Sequence, residues 1–460
     1  MNVLSSQSSG IDERIQAGKE LRIKFPLSEL GKYKPAADRA DPVSILEEQA
    51  KTRLQELVPI RYARMLTSPF AFLRGAAAIM AADLAASGPT SGIPVQACGD
   101  MHVANFGVFA SAERNLIFGI NDFDETLPGP WEWDLKRLVA SIVASARFLG
   151  ADKYLCETCV LEAVSSYRNR MKQYAQMGNL ELWYTTIREK DIQKTLSPAQ
   201  QKVLKKTTSK ARERTHLQVL GKLTDLVDNK YRLREDAPFI VRETHTQSGR
   251  SIEEALQLFL DSYFTSLADD RKSLIQQYHI TDVVRKVVGV GSVGTRCWVI
   301  FLTGNNSDDP LFLQVKEAQS SVLEPFVAVS KYTNPGRRVV EGQRLIQGAP
   351  DIFLGWGEQD GFHFYVRQLR DMKGSREFNP ADGKLENYAR YCATCAWALA
   401  LAHAKSGDAA MIAGYAGSSD KLDKAMVRFA VSYANQTEKD FQTLTDAAKS
   451  GRIKVAGISS

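Results

Sequence analysis

Apolar residues recur along this chain in two rhythms, and the switches between them predict its elements. "DPVSILEEQAKTRLQELVPIRYARML" has helical spacing, with Asp41 as N-cap and Pro42 in the first turn. "SPFAFLRGAAAIMAADLAASG" reads as a second helix, closed by Gly88 and Pro89. A short strand in "GIPVQACGD" comes next. A hairpin then pairs "NFGVFAS" with "LIFGINDFDE" about a turn at "AERN". Helical spacing returns in "WEWDLKRLVASIVASARFLG" and in charged segments over 155–280. At residue 281 the rhythm shortens: "TDVVRKVVGVGSVGTRCWVIFLTGNNSDDPLFLQVKEA" is β-rich, with Gly, Asn and Asp at its turns. A short helix, "RRVVEGQRLIQ", precedes two more strands, "DIFLGW" and "FHFYVRQL". The remainder, from "LENYARYCATCAWALALAHAKS" onward, is helical.

These rhythms predict an α+β chain in four parts: a polar, partly ordered lead-in (1–45), a mostly helical part with a helical insertion (46–280), a β part (281–370) and closing helices (371–460). At 460 residues the chain exceeds what one core usually serves, so two or three domains or lobes are expected. Composition, 44% hydrophobic and 24% charged, is that of an ordinary soluble globular protein. Lys and Arg number 59 against 53 Asp and Glu, an excess too small to imply nucleic acid. The basic run "QKVLKKTTSKARERTH" lacks the aromatic residues that stack on bases and reads as a solvated helical face.

The N-terminal stretch lacks a basic-then-apolar signal and no apolar run reaches membrane-spanning length, so a cytoplasmic location without a membrane partner is expected. There the six cysteines are expected to be reduced thiols. "CETC" and "CATC" lie in alanine-rich helical patterns and read as core packing; a zinc site would need the two helices to meet.

Candidate chemistry gathers in three places. "CGDMHVANFG" sets Asp100, His102 and Asn105 between Gly99 and Gly107, and "INDFDE" adds Asp122 and Asp124. Phosphoryl transfer from ATP needs a carboxylate to orient the acceptor hydroxyl, with an amide oxygen and a carboxylate to hold Mg²⁺. Asp100 fits the first role, and Asn105 and Asp122 the second, with Asp124 able to share the metal. Asp134, in "WEWDLKRL", fits a carboxylate that braces the loop, and His102 is expected to hold the loop in place. The second place is "VVGVGSVGTRCWVIF", where Gly289, Gly291, Ser292 and Gly294 separate two strands. A Rossmann turn requires a helix after the last glycine, so strand–glycine loop–strand reads instead as a hairpin covering phosphates. In the third, "LFLQVKEA", Lys316 stands on an apolar strand as a phosphate-binding lysine, with Glu341 in the next helix as its partner.

These motifs resemble the protein-kinase-like superfamily, in particular its aminoglycoside- and choline-phosphotransferase branch. "GDMHVANFG" is similar to that branch's Gly-Asp-x-His-x-x-Asn loop, and "INDFDE" to its metal-binding strand. The whole chain resembles the bacterial family called domain of unknown function 2252. That likeness runs from "SPFAFLRG" through "NDFDETLPGPWEWDLKRL", "GVGSVGT" and "YVRQLRDMKGS" to "LAHAKSGD". In an ordinary kinase the glycine loop and lysine precede the catalytic loop, whereas here they follow it. The resemblance therefore implies a circularly permuted, two-lobed kinase-like fold: a small antiparallel sheet lobe over a large helical lobe, with "FYVRQLRD" as hinge. It implies ATP and Mg²⁺ as cofactors and a nucleotide and an unidentified small-molecule or protein acceptor as partners. Nucleotidyl (AMP) transfer by the same site and a nucleotide-binding pseudokinase or scaffold without turnover stand as alternatives.

Overall fold

The computed structural model describes residues 10–457 except 199–200, 203, 206–207, 210–215, 229, 370–373, 377, 380–384 and 386. Most of the basic run and the end of the expected hinge, Arg370 and Asp371, thus lie outside the described residues. The chain is α+β, with small antiparallel sheets among many helices.

α1 (Ile11–Lys24) falls inside the segment read as a lead-in. It docks by backbone approach rather than through an apolar stripe, which is why periodicity underrates it. A Cβ on its Gly18 would stand 2.0 Å from the Met411 carbonyl oxygen, and one on Gly414 would stand 2.1 Å from that of Ile15. α2 (Pro42–Ala50) is capped by Asp41, which accepts from the Ser44 N–H at 3.0 Å. α3 (Val58–Met65) leads to α4 (Pro69–Gly75) and α5 (Ala77–Ala86). The expected single helix over the last two is in fact a pair bent by 79°. At the break Ala76 leaves the helical well, with φ −113° and ψ 31°, while Gly75 is pressed against Met65. Among the described residues no single helix is long and apolar enough to cross a membrane.

β1 (Pro94–Ala97) enters the first motif. The expected hairpin is β2 (Phe106–Ala110) with β3 (Leu116–Ile120), Phe106 lying opposite Ile120. β4 (Leu127–Pro130) returns antiparallel to β1 as a two-stranded sheet separate from the hairpin, so each motif runs between one strand of each sheet. α6 (Trp131–Phe148) then runs buried for nearly its whole length. α7 (Lys153–Ala175) packs beside it, and β5 (Ile187–Arg188) extends the hairpin sheet.

β6 (Thr224–Val227) and β7 (Lys230–Leu233) form a separate ribbon. Beyond them lies a six-stranded antiparallel sheet. Its members are β8 (Ile240–Val241), β9 (His279–Lys286), β10 (Cys297–Thr303), β11 (Pro310–Glu317), β12 (Gly355–Gln359) and β13 (Phe362–Gln368), in spatial order 12-13-11-10-9-8. α8 (Ile252–Thr265) covers one face, where Phe259 and Tyr263 meet Ile300, Leu313 and Val315. Alternation sends Phe312, Gln314 and Lys316 to the other face. α9 (Pro335–Ile346) crosses from this sheet to the helical core, and β14 (Gly374–Ser375) pairs with β2.

The chain closes with α10 (Tyr388–Ser406), α11 (Ala409–Ala416) and α12 (Lys421–Lys449). α10 lies along α7, so the two Cys-x-x-Cys helices do meet, with Cys159 and Cys392 both buried between them. All six cysteines are free and buried, and burial pushes the Cys392 thiol up. Among the described residues no three His, Cys, Asp or Glu side chains gather to hold a metal.

Lys136, on α6, is a buried cation whose ammonium lies 4.9 Å from the centre of the Phe429 ring. Burial lowers its pKa to about 8, although Glu132 opposes the shift. The penalty of a buried charge is therefore fully present below about pH 8 and relieved as pH rises toward the unfolded value of about 10.4. Lys136→Met is expected to stabilise the protein at neutral pH by about 1–3 kcal/mol. Thermal melting at a series of pH values checks this: the variant's advantage must shrink above about pH 8.

Candidate active site

The loop after β1 is built around a glycine that nothing else can replace. Gly99 has φ +78°, and a Cβ there would lie 2.6 Å from the Glu125 carbonyl oxygen. Asp134, in the first turn of α6, accepts from the N–H groups of Cys98 at 2.6 Å and Gly99 at 2.9 Å. Behind it, His403 of α10 places Nε2 3.3 Å from Asp134, and its Nδ1 is 2.8 Å from the Tyr167 hydroxyl. The expected bracing role of Asp134 is thus visible as hydrogen bonds. His403 belongs to that brace, while Asp408 caps α11 by accepting from the Met411 N–H.

Arg137, one helical turn beyond Asp134, reaches the same loop and donates from Nε to Asp100 Oδ1 at 2.7 Å. Burial raises the Asp100 pKa, opposed by Arg137 and Arg74. Asn105 donates its amide N–H to the Asp100 carbonyl at 2.7 Å, which leaves the amide oxygen for the cavity it lines. His102 is buried, with burial and two nearby arginines depressing its pKa, so its ring is neutral. Its Nδ1 has no hydrogen-bond partner, so the ring does not tie the loop through that atom.

β3 ends at Ile120, so Asp122 and Asp124 stand on the turn that follows rather than on the strand. Asp124 is where the distant parts of the chain converge. Lys316 donates to its Oδ2 from across 192 sequence positions, and the Tyr365 hydroxyl donates to Oδ1 at 2.7 Å. Ser292, in the glycine loop, donates to Oδ2 at 3.3 Å. Burial would raise the Asp124 pKa, but Lys316 and Tyr365 outweigh it and keep the group ionised. Asp122 shifts the other way: burial and the charge on Asp124 push its carboxyl up, against Lys316 and Arg367. Lys316 itself stays a cation, because Asp124 overcomes the effect of burial.

One expected pairing is corrected. Glu341 does not partner Lys316; it accepts from Arg344 of its own helix at 3.5 Å. The side chain that α9 sends into the site is Arg338, three residues earlier. It donates to the carbonyls of Asp124, Thr126 and Gln319, each at 2.7 Å, and so clamps the turn bearing Asp124. In "RRVVEGQR" both charges suit an amphipathic helix, and only the docking of α9 against that turn decides between them.

The glycine loop is pinned from the other side. Buried Val293 sits among Leu54, Leu57 and Ile60, Leu54 N–H donates to the Gly294 carbonyl at 2.8 Å, and Arg53 donates to that of Val293 at 2.6 Å. Gly294 has φ +91° and lies against the Arg53 stem. Asp100, Asn105, Asp122, Asp124, Gly289, Gly291 and Ser292 consequently line one cavity of about 610 Å³. Sequence reasoning missed the arginines around it. For Arg137 a signal existed, since it falls one turn after Asp134 on the same helix face.

An α+β chain with acidic loops and a glycine loop around one cavity defines the class. The particular family then follows: residues 53–447 match the family described as an uncharacterized protein conserved in bacteria (DUF2252), and the chain belongs to it. No curated protein and no solved structure matches the chain.

Proposed function

We propose that the protein is a Mg²⁺-dependent phosphotransferase that uses ATP, with a kinase-like fold whose catalytic half comes first in the chain. The observation that carries this reading is that Asp124, which lines one cavity with Asp100, Asn105, Asp122 and Ser292, accepts from both Ser292 and the buried Lys316 behind it. Such a meeting is what a permuted kinase requires, because an active site depends on spatial placement rather than chain order.

The donor set suits the metal. Asn105 has its amide oxygen left for the cavity, and Asp122 offers a carboxylate that gains from a nearby cation. Two hard oxygen ligands of this kind hold Mg²⁺ together with substrate phosphates, without an all-protein cage. Held there by Asn105 and Asp122, the ion would offset the negative charge of the phosphates during transfer. Lys316, paired with Asp124, would supply positive charge for the phosphates, and the loop carrying Gly289, Gly291 and Gly294 would cover them. Asp100, held by Arg137, orients the acceptor hydroxyl and receives its proton as that oxygen bonds to the γ-phosphorus and ADP leaves. Asp124 and Arg338 position Lys316 and the metal turn.

Thermal melting with and without Mg²⁺–ATP tests the reading. At a hundredfold excess over Kd, binding to the native state alone should add about 2.7 kcal/mol, a rise of a few degrees in Tm. The shift should need both Mg²⁺ and nucleotide. Unchanged melting at millimolar Mg²⁺–ATP would overturn the proposal.

A further inference from the structure

A second cavity, of about 990 Å³, shares no lining residue with the one at Asp100. It lies where α1, the last turns of α7, the end of α11 and the start of α12 come together. Six of its lining side chains are cations: Lys19 and Arg22 of α1, Lys172 of α7, and Lys421, Lys424 and Arg428 of α12. The last three follow at helical spacing, so they share one face of α12. Among the described residues no Asp, Glu or aromatic side chain lines this hollow. Over the whole chain Lys and Arg outnumber Asp and Glu only 59 to 53, so the composition does not account for a concavity of one sign. Ordinary surfaces intersperse the two signs, because like charges gathered in one hollow repel each other.

Carboxylates on the flanking positions are already engaged. Arg168 holds Asp423 through two hydrogen bonds, at 3.0 and 2.7 Å, and Asp420 pairs with Lys424 at 2.7 Å. Glu29 pairs with Lys32, also at 2.7 Å. Lys19, Arg22, Lys172, Lys421 and Arg428 form no ion pair among the described residues. Arg22 is half-buried and laid across a glycine made for it: a Cβ on Gly417 would stand 2.1 Å from its Nη1, which donates to the Tyr415 carbonyl at 3.4 Å. Lys421 opens α12, where the helix dipole disfavours a cation, so helix stability does not explain it.

We propose that this hollow binds a small, non-aromatic polyanion carrying several phosphate groups, such as a phosphorylated polyol or a short polyphosphate. Several cations converging from three helices match several phosphates better than one. The hydroxyls of Ser28, Ser418 and Ser419 stand among them, and phosphate oxygens accept from both kinds of donor. Without an aromatic ring the hollow offers no face on which a base could stack, which argues against a nucleotide or single-stranded nucleic acid. A concave site also encloses a compact ligand, whereas a flat lipid surface would reach only its rim. The proposal stands apart from the phosphotransferase reading, since none of these residues belongs to that site.

Calorimetric titration of inorganic tripolyphosphate into the full chain, without divalent metal, tests it. Wild type is compared with the hollow variant Lys19→Gln/Lys172→Gln/Lys421→Gln and with a control, Lys202→Gln/Lys230→Gln/Lys439→Gln, which removes the same charge from exposed lysines elsewhere. Wild type and control should bind one tripolyphosphate saturably, and the hollow variant should bind it about tenfold more weakly or worse. Lys172 is half-buried, so if the triple variant melts early, Lys19→Gln/Lys421→Gln carries the comparison. Equal weakening in the control would mark an effect of net charge and overturn the proposal. Undiminished binding by the hollow variant would place the ligand elsewhere, the cavity before Lys316 included, and overturns it while sparing the phosphotransferase reading. Wild type that binds no tripolyphosphate saturably overturns it as well; retention on anionic lipid vesicles, lost in the hollow variant, would then assign the hollow to a membrane surface.

Discussion

Asp122→Asn is expected to abolish phosphoryl transfer while leaving the protein folded. The amide keeps the shape of the side chain but removes the charge that would hold Mg²⁺ against the phosphates. Losing about 4 kcal/mol of transition-state stabilisation corresponds to about a thousandfold in rate. The fold should tolerate the change, and Tm should hold or rise, because Asp122 sits beside ionised Asp124 and that proximity disfavours its charge. Turnover of γ-labelled ATP in an extract supplying acceptors, read beside a melting curve, checks both parts. A variant that stays active would move the metal role to Asp124 or end the mechanism.

Lys316→Met should act on stability and binding together. Lys316 is 2% exposed and pairs with Asp124, so its removal strands a carboxylate in a site where burial already disfavours charge. Breaking a buried pair from one side typically costs about 3–5 kcal/mol, which in melting should be the largest loss among the substitutions considered. The double variant Lys316→Met/Asp124→Asn should regain most of that stability, since the amide needs no counter-charge and can still accept from Tyr365. Neither variant should show the Mg²⁺–ATP shift, because the phosphate contact is gone in both. A double variant that melts like wild type and still responds to Mg²⁺–ATP would leave Lys316 as a structural cation only.

Residue type and spacing were enough to single out the loop at Asp100 and Asn105, the "INDFDE" stretch, the glycine loop and Lys316 as candidates, because each is a local pattern that breaks the apolar rhythm around it. The hairpin from Phe106 to Ile120 was legible for the same reason, as alternation interrupted by turn residues. The bend at Ala76 was not. Ala-rich helical spacing continues through it, and the close approach of Met65 to Gly75 at the break comes from another helix. α1 was underrated because it is held by two glycine-to-backbone approaches that no hydropathy pattern records.

The sequence by itself picked out the candidate groups and most of the elements near them, since propensity, alternation and turn chemistry act over a few residues, although Asp122 and Asp124 stand on the turn after the strand expected to carry them. Only the tertiary structure decided how those groups pair. Lys316 finds Asp124 instead of Glu341, Arg338 clamps the turn, and Asp134 is steadied by His403 from the far end of the chain. The physical reason is that a buried charge is settled by whichever opposite charge or dipole lies within hydrogen-bond reach, and reach is fixed by packing across 192 positions or more, beyond the range of any local pattern.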